Sequence, residues 1–326
     1  MYVIDNSYDD KFQLQLIKET NDILINRVDR PFGWNFNLQI NFQNCIYNVG
    51  PSACSYKMLK TNIQVDDDDD KDEDDDKDDK DDEDDKDDED DEDDTVLSSN
   101  TVKVENFNLC DNDKILVISS MINLPIKQHN ILTENTRFLQ TLKQLKRYKK
   151  YFKKIILCEQ SIDISSDMLN KLKKYAKIVL FNDDKMSNFF SSEQVINKGL
   201  GEMYITKKIF KILSNSKKQF TIFKGVGRYI PTKKFDIEKF DVYLPTFKAI
   251  AGGGRQGIIV YSNLYSIPSE FCKIFIEFLD VWLLTIPVEP IEHILTLFAE
   301  SLPKIKLVDK LSIYGYNAKT NKKKKM

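Results

Sequence analysis

The amino-terminal part of the chain shows a strict alternation of apolar and polar residues. From Trp34 to Phe42 every second residue is apolar, and each residue between them is Asn or Gln. A period of two over this length predicts a half-buried antiparallel strand. Residues 45–49 can return beside it before a Gly-Pro pair. We therefore predict a small β-rich unit over residues 1–65, in which we identify no candidate chemistry.

After residue 95 the pattern changes to short apolar runs separated by helical periodicity. The runs predict four buried strands, at residues 114–120, 154–158, 178–181 and 220–223. Helices are predicted between them at residues 133–151, 165–176 and 199–214, and after them at residues 270–284 and 291–302. Buried strands that alternate with helices are typical of a mainly parallel sheet with helices on both faces. The predicted fold class is therefore α/β.

Residues 66–94 are all charged. They comprise 25 acidic residues and four lysines, a net charge of −21, whereas the whole chain carries −4. Subtracting −21 from −4 leaves +17 for the rest of the chain, which favours anionic partners. The tract can bury no apolar surface and repels itself, so we predict a disordered, extended linker. Two interpretations stay open: an insertion without a specific role, or a segment that folds back electrostatically on the basic domain.

These patterns divide the chain into four predicted parts. They are the β-rich unit (1–65), the acidic linker (66–94), the α/β domain (95–316) and a basic tail (317–326), which could touch nucleic acid or an anionic membrane or stay solvated. No apolar run reaches the roughly 18 residues of a transmembrane helix, and no signal peptide is evident. A cytoplasmic location is therefore expected, in the host cytoplasm if the protein is viral. Five cysteines without a CxxC pair indicate reduced thiols, and the presence of only two histidines argues against a histidine-built zinc site.

Glycine and arginine are concentrated in one part of the sequence. Eight of the 11 glycines lie within residues 197–257, and two of the six arginines, Arg228 and Arg255, stand directly beside them. The planar guanidinium of arginine binds phosphate or carboxylate through two parallel hydrogen bonds, which lysine cannot do. Glycine lets the backbone approach a ligand closely. The pattern favours a phosphate site, and ordinary turns with surface arginines are the alternative interpretation.

The predicted topology brings several polar residues to one edge of the sheet. Ligands of parallel sheets bind at the carboxyl ends of the strands, where Ser119-Ser120, Glu159-Gln160, residues 182–184 and residues 224–228 would meet. A helix that opens after Lys198 would add free N–H groups and a positive dipole end. The predicted anion-binding residues are Arg137, Lys198, Gly201, Glu202, Lys224, Gly227, Arg228 and Arg255.

Two further pairs of residues are candidates for chemistry. Asp183 and Asp184 follow the third predicted strand and could hold a divalent metal together with substrate phosphates. Glu292 and His293 lie at the break between the last two helices, and either could act as the general base for an acceptor hydroxyl. The alternatives are a solvated turn for the aspartates and a surface cap for Glu292 and His293. Neither a P-loop nor a GxSxG motif is present.

Over residues 114–315 the chain resembles glycosyltransferases of the nucleotide-diphospho-sugar type from bacterial polysaccharide clusters and large DNA viruses. The resemblance rests on Thr136-Arg137-x-x-Gln140-Thr141, Lys154-Ile-Ile-Leu-Cys-Glu159-x-Ser161, Asn182-Asp183, Asn197-Lys198-x-x-Gly201-Glu202, Phe223-Lys224-x-x-Gly227-Arg228-Tyr229 and Ile291-Glu292-His293. It implies a GT-A-like domain, a nucleotide-sugar donor, a glycan or protein acceptor, and Mn²⁺ or Mg²⁺ as the candidate metal. The chain departs from the family in having no DxD after the fourth strand. Lys224 and Arg228 stand in that place, which implies that fixed cations neutralise the diphosphate.

A second class of function also fits the composition. The charge of +17 outside the acidic tract would suit a non-catalytic nucleic-acid-binding or interaction protein with a basic α/β domain. The lysines lie mostly on helix faces, however, and no recognisable nucleic-acid reader motif accompanies them. An inactive, transferase-like interaction module is a third interpretation.

Overall fold

The computed structural model describes residues 25–28, 37–42, 45–49, 96–123, 132–161, 163–191, 199–251, 258–285, 290–316 and 323–325. The chain divides into two compact units, residues 1–58 and 59–326. The first unit contains a three-stranded antiparallel sheet in the order β1-β2-β3, built from Ile25–Val28, Asn37–Phe42 and Cys45–Val49. The alternating stretch thus forms β2, and residues 45–49 return beside it as predicted.

The second unit is built on an eight-stranded sheet with the order β12-β10-β11-β8-β5-β6-β7-β4. Its strands are β4 (Val96–Ser98), β5 (Asp113–Ser120), β6 (Lys154–Glu159), β7 (Lys177–Leu180), β8 (Phe220–Val226), β10 (Thr246–Ala251), β11 (Ile258–Pro268) and β12 (Lys306–Val308). Five of the seven neighbouring pairs are parallel, and β11 is antiparallel to both of its neighbours. The predicted α/β class with a mainly parallel sheet is confirmed.

Six helices accompany the sheet in the described part of the chain. They are α1 (Glu134–Tyr148), α2 (Ser166–Lys173), α3 (Lys185–Ser191), α4 (Gly199–Leu213), α5 (Ser269–Thr285) and α6 (Ile291–Ser301). Thr133 and Ser165 cap α1 and α2, because their side-chain oxygens accept hydrogen bonds from the amides of Thr136 and Met168. No helix in the described ranges is both long enough and apolar enough to cross a membrane.

Helices cover both faces of the sheet, because neighbouring residues of a strand point to opposite sides. On one face Leu116 and Ile118 form a buried cluster with Phe138 and Leu145 of α1. On the other face Phe210 of α4 packs edge-on against Phe275 of α5, with ring centroids 5.2 Å apart. The same alternation turns Phe223 toward α1 and its neighbour Lys224 toward α4.

A second, small sheet continues the chain after β8. Its order is β14-β13-β9, with β9 at Ile230–Pro231, β13 at Ile313–Tyr316 and β14 at Lys323–Lys325. Both pairings are antiparallel. β13 thereby pairs with the segment that directly follows Tyr229.

Candidate functional site

The segment after β8 forms a tight loop, residues 226–229, which we call the arginine loop. The amide of Gly227 donates a hydrogen bond of 2.8 Å to the carbonyl oxygen of Ser119 at the end of β5. A Cβ on Gly227 would lie only 3.2 Å from that same oxygen, so a larger residue would fit here only if one of the two backbones shifted slightly. Arg228 has a φ of 84°, a left-handed conformation that is uncommon for a residue with a side chain.

Gln144 of α1 holds the arginine loop in this conformation. Its Nε2 donates to the carbonyl oxygens of Val226 and Tyr229, each at 2.9 Å, and its Oε1 accepts from the amide of Arg228 at 3.1 Å. The Gln144 side chain is completely buried. Sequence reasoning did not single out Gln144. The available signal was a polar residue on the apolar face of an amphipathic helix. A polar side chain that is buried on such a face needs a hydrogen-bond partner.

Two arginines meet beside this loop. Arg137 of α1 is buried, and its Nε donates to the carbonyl oxygen of Met121 at 2.8 Å. Burial and, to a smaller extent, the nearby positive charge of Arg228 together lower the pKa of Arg137 to about 10, against the opposing effect of Glu159. Burial likewise lowers the pKa of Arg228, whose Nη1 has no hydrogen-bond partner among the described residues. Two guanidinium groups thus lie within electrostatic range of each other, and one of them keeps a buried nitrogen that could donate to an anion.

Glu159 fixes the loop that follows β5. It is fully buried, and its Oε1 accepts hydrogen bonds from the amides of Ile122 and Ser161, each at 3.0 Å, and from the Ser161 hydroxyl at 2.6 Å. Its Oε2 has no partner within the part of the chain that the structure describes. Glu159 therefore ties the ends of two neighbouring strands together, next to Arg137.

Buried Lys224 of β8 and half-buried Glu202 of α4 form an ion pair. The Nζ atom of Lys224 lies 3.0 Å from Oε1 of Glu202, 2.9 Å from the Ser119 hydroxyl and 2.8 Å from the Gly225 carbonyl oxygen. Lys224 is 0% exposed, and these three acceptors account for its three ammonium hydrogens. Glu202 belongs to the first turn of α4, where Gly201 is also buried.

Glu292 of α6 contacts β11. Its Oε1 accepts a hydrogen bond of 2.6 Å from Ser262 of β11. Burial raises the pKa of Tyr229, Arg228 opposes that shift, and Glu292 and Glu202 add to it. Both carboxylates are therefore within electrostatic range of the arginine loop. His293 is half-buried, and its amide donates to the Pro290 carbonyl oxygen at 3.0 Å at the start of α6.

The two aspartates after β7 differ in their surroundings. Asp184 is buried, and its Oδ1 accepts from the amides of Met186 and Ser187, at 3.0 and 3.1 Å, at the start of α3. Its carboxylate also accepts from the Tyr204 hydroxyl and forms an ion pair with Lys208. With these contacts Asp184 does not fit a metal site, because its oxygens are already occupied. Asp183 is exposed, and the described residues include no group of three or more His, Cys, Asp or Glu side chains suited to a metal ion.

The predicted residues therefore fall into three groups. The structure brings Arg137, Glu202, Lys224, Gly227, Arg228 and Glu292 to the carboxyl edge of the sheet. Gly201 and His293 are the helical neighbours of Glu202 and Glu292, whereas Asp184 caps α3 and Asp183 beside it is exposed. Lys198 and Arg255 lie outside the described residues, so their roles stay predictions.

This architecture defines an α/β protein with a polar, partly buried site at the carboxyl edge of a mainly parallel sheet. No protein-family model matches the chain, and no curated protein matches it. Its structural neighbours are glycosyltransferases and related nucleotidyltransferases at low sequence identity. One is a glycosyltransferase involved in the glycosylation of the major capsid of PBCV-1. It is 9% identical, with a TM-score of 0.36 over 60% of this chain and 82% of that chain.

Two other solved structures are similar at the same level. A CMP:2-keto-3-deoxy-manno-octonic acid synthetase complexed with CTP is 7% identical, with a TM-score of 0.35 over 61% of this chain and 90% of that chain. The glycosyltransferase GlyE of Streptococcus pneumoniae TIGR4 is 11% identical, with a TM-score of 0.35 over 61% of this chain and 45% of that chain. These similarities are weak, and the α/β architecture stands on the strand order of the sheet itself.

Proposed function

We propose that this protein is a glycosyltransferase that takes its sugar from a nucleotide-diphosphate donor, with the donor diphosphate bound at the arginine loop. The observation that carries the proposal is the half-buried side chain of Arg228, whose Nη1 atom is buried. Arg228 has a left-handed backbone conformation, lies within electrostatic range of the buried Arg137, and has a nitrogen without a partner among the described residues. Strain and an unpaired buried donor are costly for folding alone, and they are typical of a site that binds an anion.

Sugar transfer from a nucleotide sugar requires positive charge beside the diphosphate that leaves. Negative charge builds on the diphosphate as its bond to the sugar breaks, and preorganised donors in a water-poor site stabilise that charge. Arg228 and Arg137 would supply them, with Lys198 and Arg255 as further candidates. Lys224 is assigned a positioning role, because its three hydrogens are donated to Ser119, Glu202 and Gly225.

Glu292 is the proposed general base for the acceptor, a hydroxyl of a glycan or protein. A carboxylate with one oxygen anchored to Ser262 keeps a fixed orientation and leaves its other oxygen for proton transfer. His293, the next residue on the helix, is the second candidate for this role. The acceptor hydroxyl would lose its proton to the base as its oxygen bonds to the sugar and the diphosphate leaves.

Thermal unfolding in the presence of nucleotides tests the proposal. Nucleoside diphosphates and nucleotide sugars, each with and without Mn²⁺, are expected to stabilise the protein, by roughly 2.7 kcal/mol when a ligand is present at 100 times its Kd. Oligonucleotide binding is expected to be weak and to fall steeply with salt, with a slope of about −0.9 per neutralised phosphate on duplex DNA. The nucleic-acid interpretation would replace this one if no nucleotide stabilises the protein while an oligonucleotide binds stoichiometrically at about 200 mM salt.

A further inference from the structure

The edge of the sheet opposite the candidate site is rich in lysine. Three segments lead into β6, β7 and β8, namely residues 146–154, 171–177 and 211–218, and they contain 13 basic residues and no acidic residue. We call the surface formed by these segments the lysine edge. Its basic residues are Lys146, Arg147, Lys149, Lys150, Lys153, Lys154, Lys171, Lys173, Lys174, Lys177, Lys211, Lys217 and Lys218.

The topology of the sheet brings the three segments together. Each of them contains the end of a helix and the approach to a strand, and β6, β7 and β8 run parallel to β5 as its near neighbours in the sheet. The amino ends of parallel strands meet at one edge, so the three segments lie along the same edge, with Asp111 and Asp113, near the start of β5, between segment 211–218 and the other two. The arginine loop and the start of α4 lie at the other edge of the same strands.

Much of this positive charge is not neutralised by the folded domain. Lys154, Lys171 and Lys218 form ion pairs with Asp113, Asp167 and Asp111. Six other side chains are exposed and form no ion pair within the described residues, namely Lys149, Lys150, Lys153, Lys174, Lys211 and Lys217. Lysine in the last turn of a helix complements the helix dipole. That preference does not explain Lys153 or Lys217, because both follow the last helical residue.

The acidic tract joins the domain at this same edge. Its last residue, Asp94, precedes Val96 by two positions. Val96 begins β4, which runs parallel to β7 and places Val96 opposite Ile178, near the amino end of β7. A stretch with a net charge of −21 therefore enters the fold beside segment 171–177, at the lysine edge.

We propose that residues 66–94 dock on the lysine edge of their own chain. Charge complementarity and the point of attachment both favour this occupant over a separate polyanion, because a tethered segment is held at high effective concentration. The contacts are electrostatic and are screened over roughly 8 Å at physiological ionic strength. Docking at this edge leaves the arginine loop accessible and shields the basic domain from external polyanions. The proposal is independent of the proposed function.

Zero-length coupling of carboxylates to amines in the full-length protein tests the docking. Carboxylates of residues 66–80 are expected to couple to Lys149, Lys150, Lys153, Lys174 and Lys217 several-fold more often than to Lys185, as mapped by mass spectrometry. Lys185 is an exposed internal control at the opposite end of β7. A tract of 29 residues spans roughly 100 Å when extended, so its length permits contact with either edge and charge decides between them.

Three outcomes would overturn the proposal. The first is coupling to Lys185 at the same frequency as to the lysine edge. The second is a coupling pattern that does not change near 1 M salt, where screening shortens to about 3 Å. The third is coupling mainly between chains in a mixture of ¹⁴N- and ¹⁵N-labelled protein, which would assign the contacts to a second copy.

A charge-reversal variant gives an independent measurement. Replacing Lys149, Lys150 and Lys153 together by Glu is expected to reduce coupling of the tract to the remaining Lys174 and Lys217, because like charges now repel it. Lys185→Glu is the matched control and is expected to leave that coupling unchanged. Thermal unfolding of both variants verifies that they fold. Unchanged coupling to Lys174 and Lys217 in a folded triple variant would contradict docking at this edge.

Discussion

At the scale of single residues, Gln144 determines the geometry of the arginine loop. Gln144→Leu removes three hydrogen bonds to the backbone of residues 226–229. It is expected to lower the free energy of unfolding by about 2 kcal/mol, because buried backbone groups lose their partners. Urea unfolding measures this change.

Gln140, one turn earlier on the same helix, provides the matched control. It is largely buried, and its Oε1 has no partner among the described residues. Gln140→Leu is therefore expected to be neutral or slightly stabilising. Equal destabilisation by the two substitutions would show that Gln144 acts through side-chain packing rather than through its hydrogen bonds.

Two glycines of the same strand and loop are expected to respond differently to a methyl group. In Gly227→Ala the new Cβ would meet the Ser119 carbonyl oxygen at 3.2 Å, whereas in Gly225→Ala it would lie 3.6 Å from the flexible Leu116 side chain. Gly227→Ala is expected to displace Arg228 and weaken nucleoside diphosphate binding about tenfold, or about 1.4 kcal/mol. Gly225→Ala should bind like the wild type in the same titration. Wild-type binding by Gly227→Ala would contradict this prediction, because it would show that the loop accommodates the new Cβ without displacing Arg228.

The sequence indicates which residues meet in the site better than it indicates what each one contacts. The occurrence of rare arginines beside glycines identified Arg228 as a candidate. The rule that ligands bind at the carboxyl ends of parallel strands identified its neighbours. The buried partners did not follow, because a hydrogen bond between Gln144 and a loop more than 80 residues away depends on tertiary packing. The same limit applies to Asp184, which was predicted as a metal ligand and instead caps a helix. A position directly after a strand is compatible with either role.

At the scale of secondary structure, the buried parallel strands were predictable and the strands at the sides of the sheet were not. Four apolar runs located β5, β6, β7 and β8 within a few residues. The three-residue strands β4 and β12 are too short for a periodic signal. β10 and β11 are paired strands on either side of the glycine-rich residues 252–257. The sequence pattern favoured a ligand-binding loop at these residues, and the two strands were not predicted.

Asp184 is expected to matter for stability rather than for ligand binding. Burial alone would raise the pKa of Asp184, but hydrogen bonds from Lys208, Ser187 and Tyr204 outweigh burial and lower it. Asp184→Ala removes the cap of α3 and the partner of Lys208, and should cost about 2 kcal/mol of unfolding free energy.

Because the pKa of Asp184 is lowered, the contribution of Asp184 to the free energy of unfolding depends on pH. A carboxylate whose pKa is lower in the folded state stabilises the protein above its unfolded value of about 3.9 and loses that contribution as the pH falls below it. The difference in stability between wild type and Asp184→Ala should therefore shrink in acid, as measured by urea unfolding at several pH values. A constant difference from pH 7 down to about pH 3 would contradict the ionic role.

At the scale of the whole molecule, the acidic tract controls the net charge. Deletion of residues 66–94 changes the net charge from −4 to +17. We expect the deletion to leave cooperative unfolding of the remaining chain intact, because a polyanion contributes nothing to the core. Retention on a heparin column should increase strongly. Loss of cooperative unfolding, or unchanged retention, would contradict this view of the tract.

The central claim is that the arginine loop binds the diphosphate of a nucleotide. Calorimetric titration of a nucleoside diphosphate into wild type, Arg228→Lys, Arg228→Ala and the opposite-edge control Lys173→Ala tests it most directly. Lysine and alanine both carry a Cβ, so they share the backbone strain of Arg228 and differ from it only in the side chain. We predict at least about tenfold weaker binding by both Arg228 variants, because lysine lacks the planar fork, and unchanged binding by Lys173→Ala. Wild-type affinity in Arg228→Ala would contradict the account.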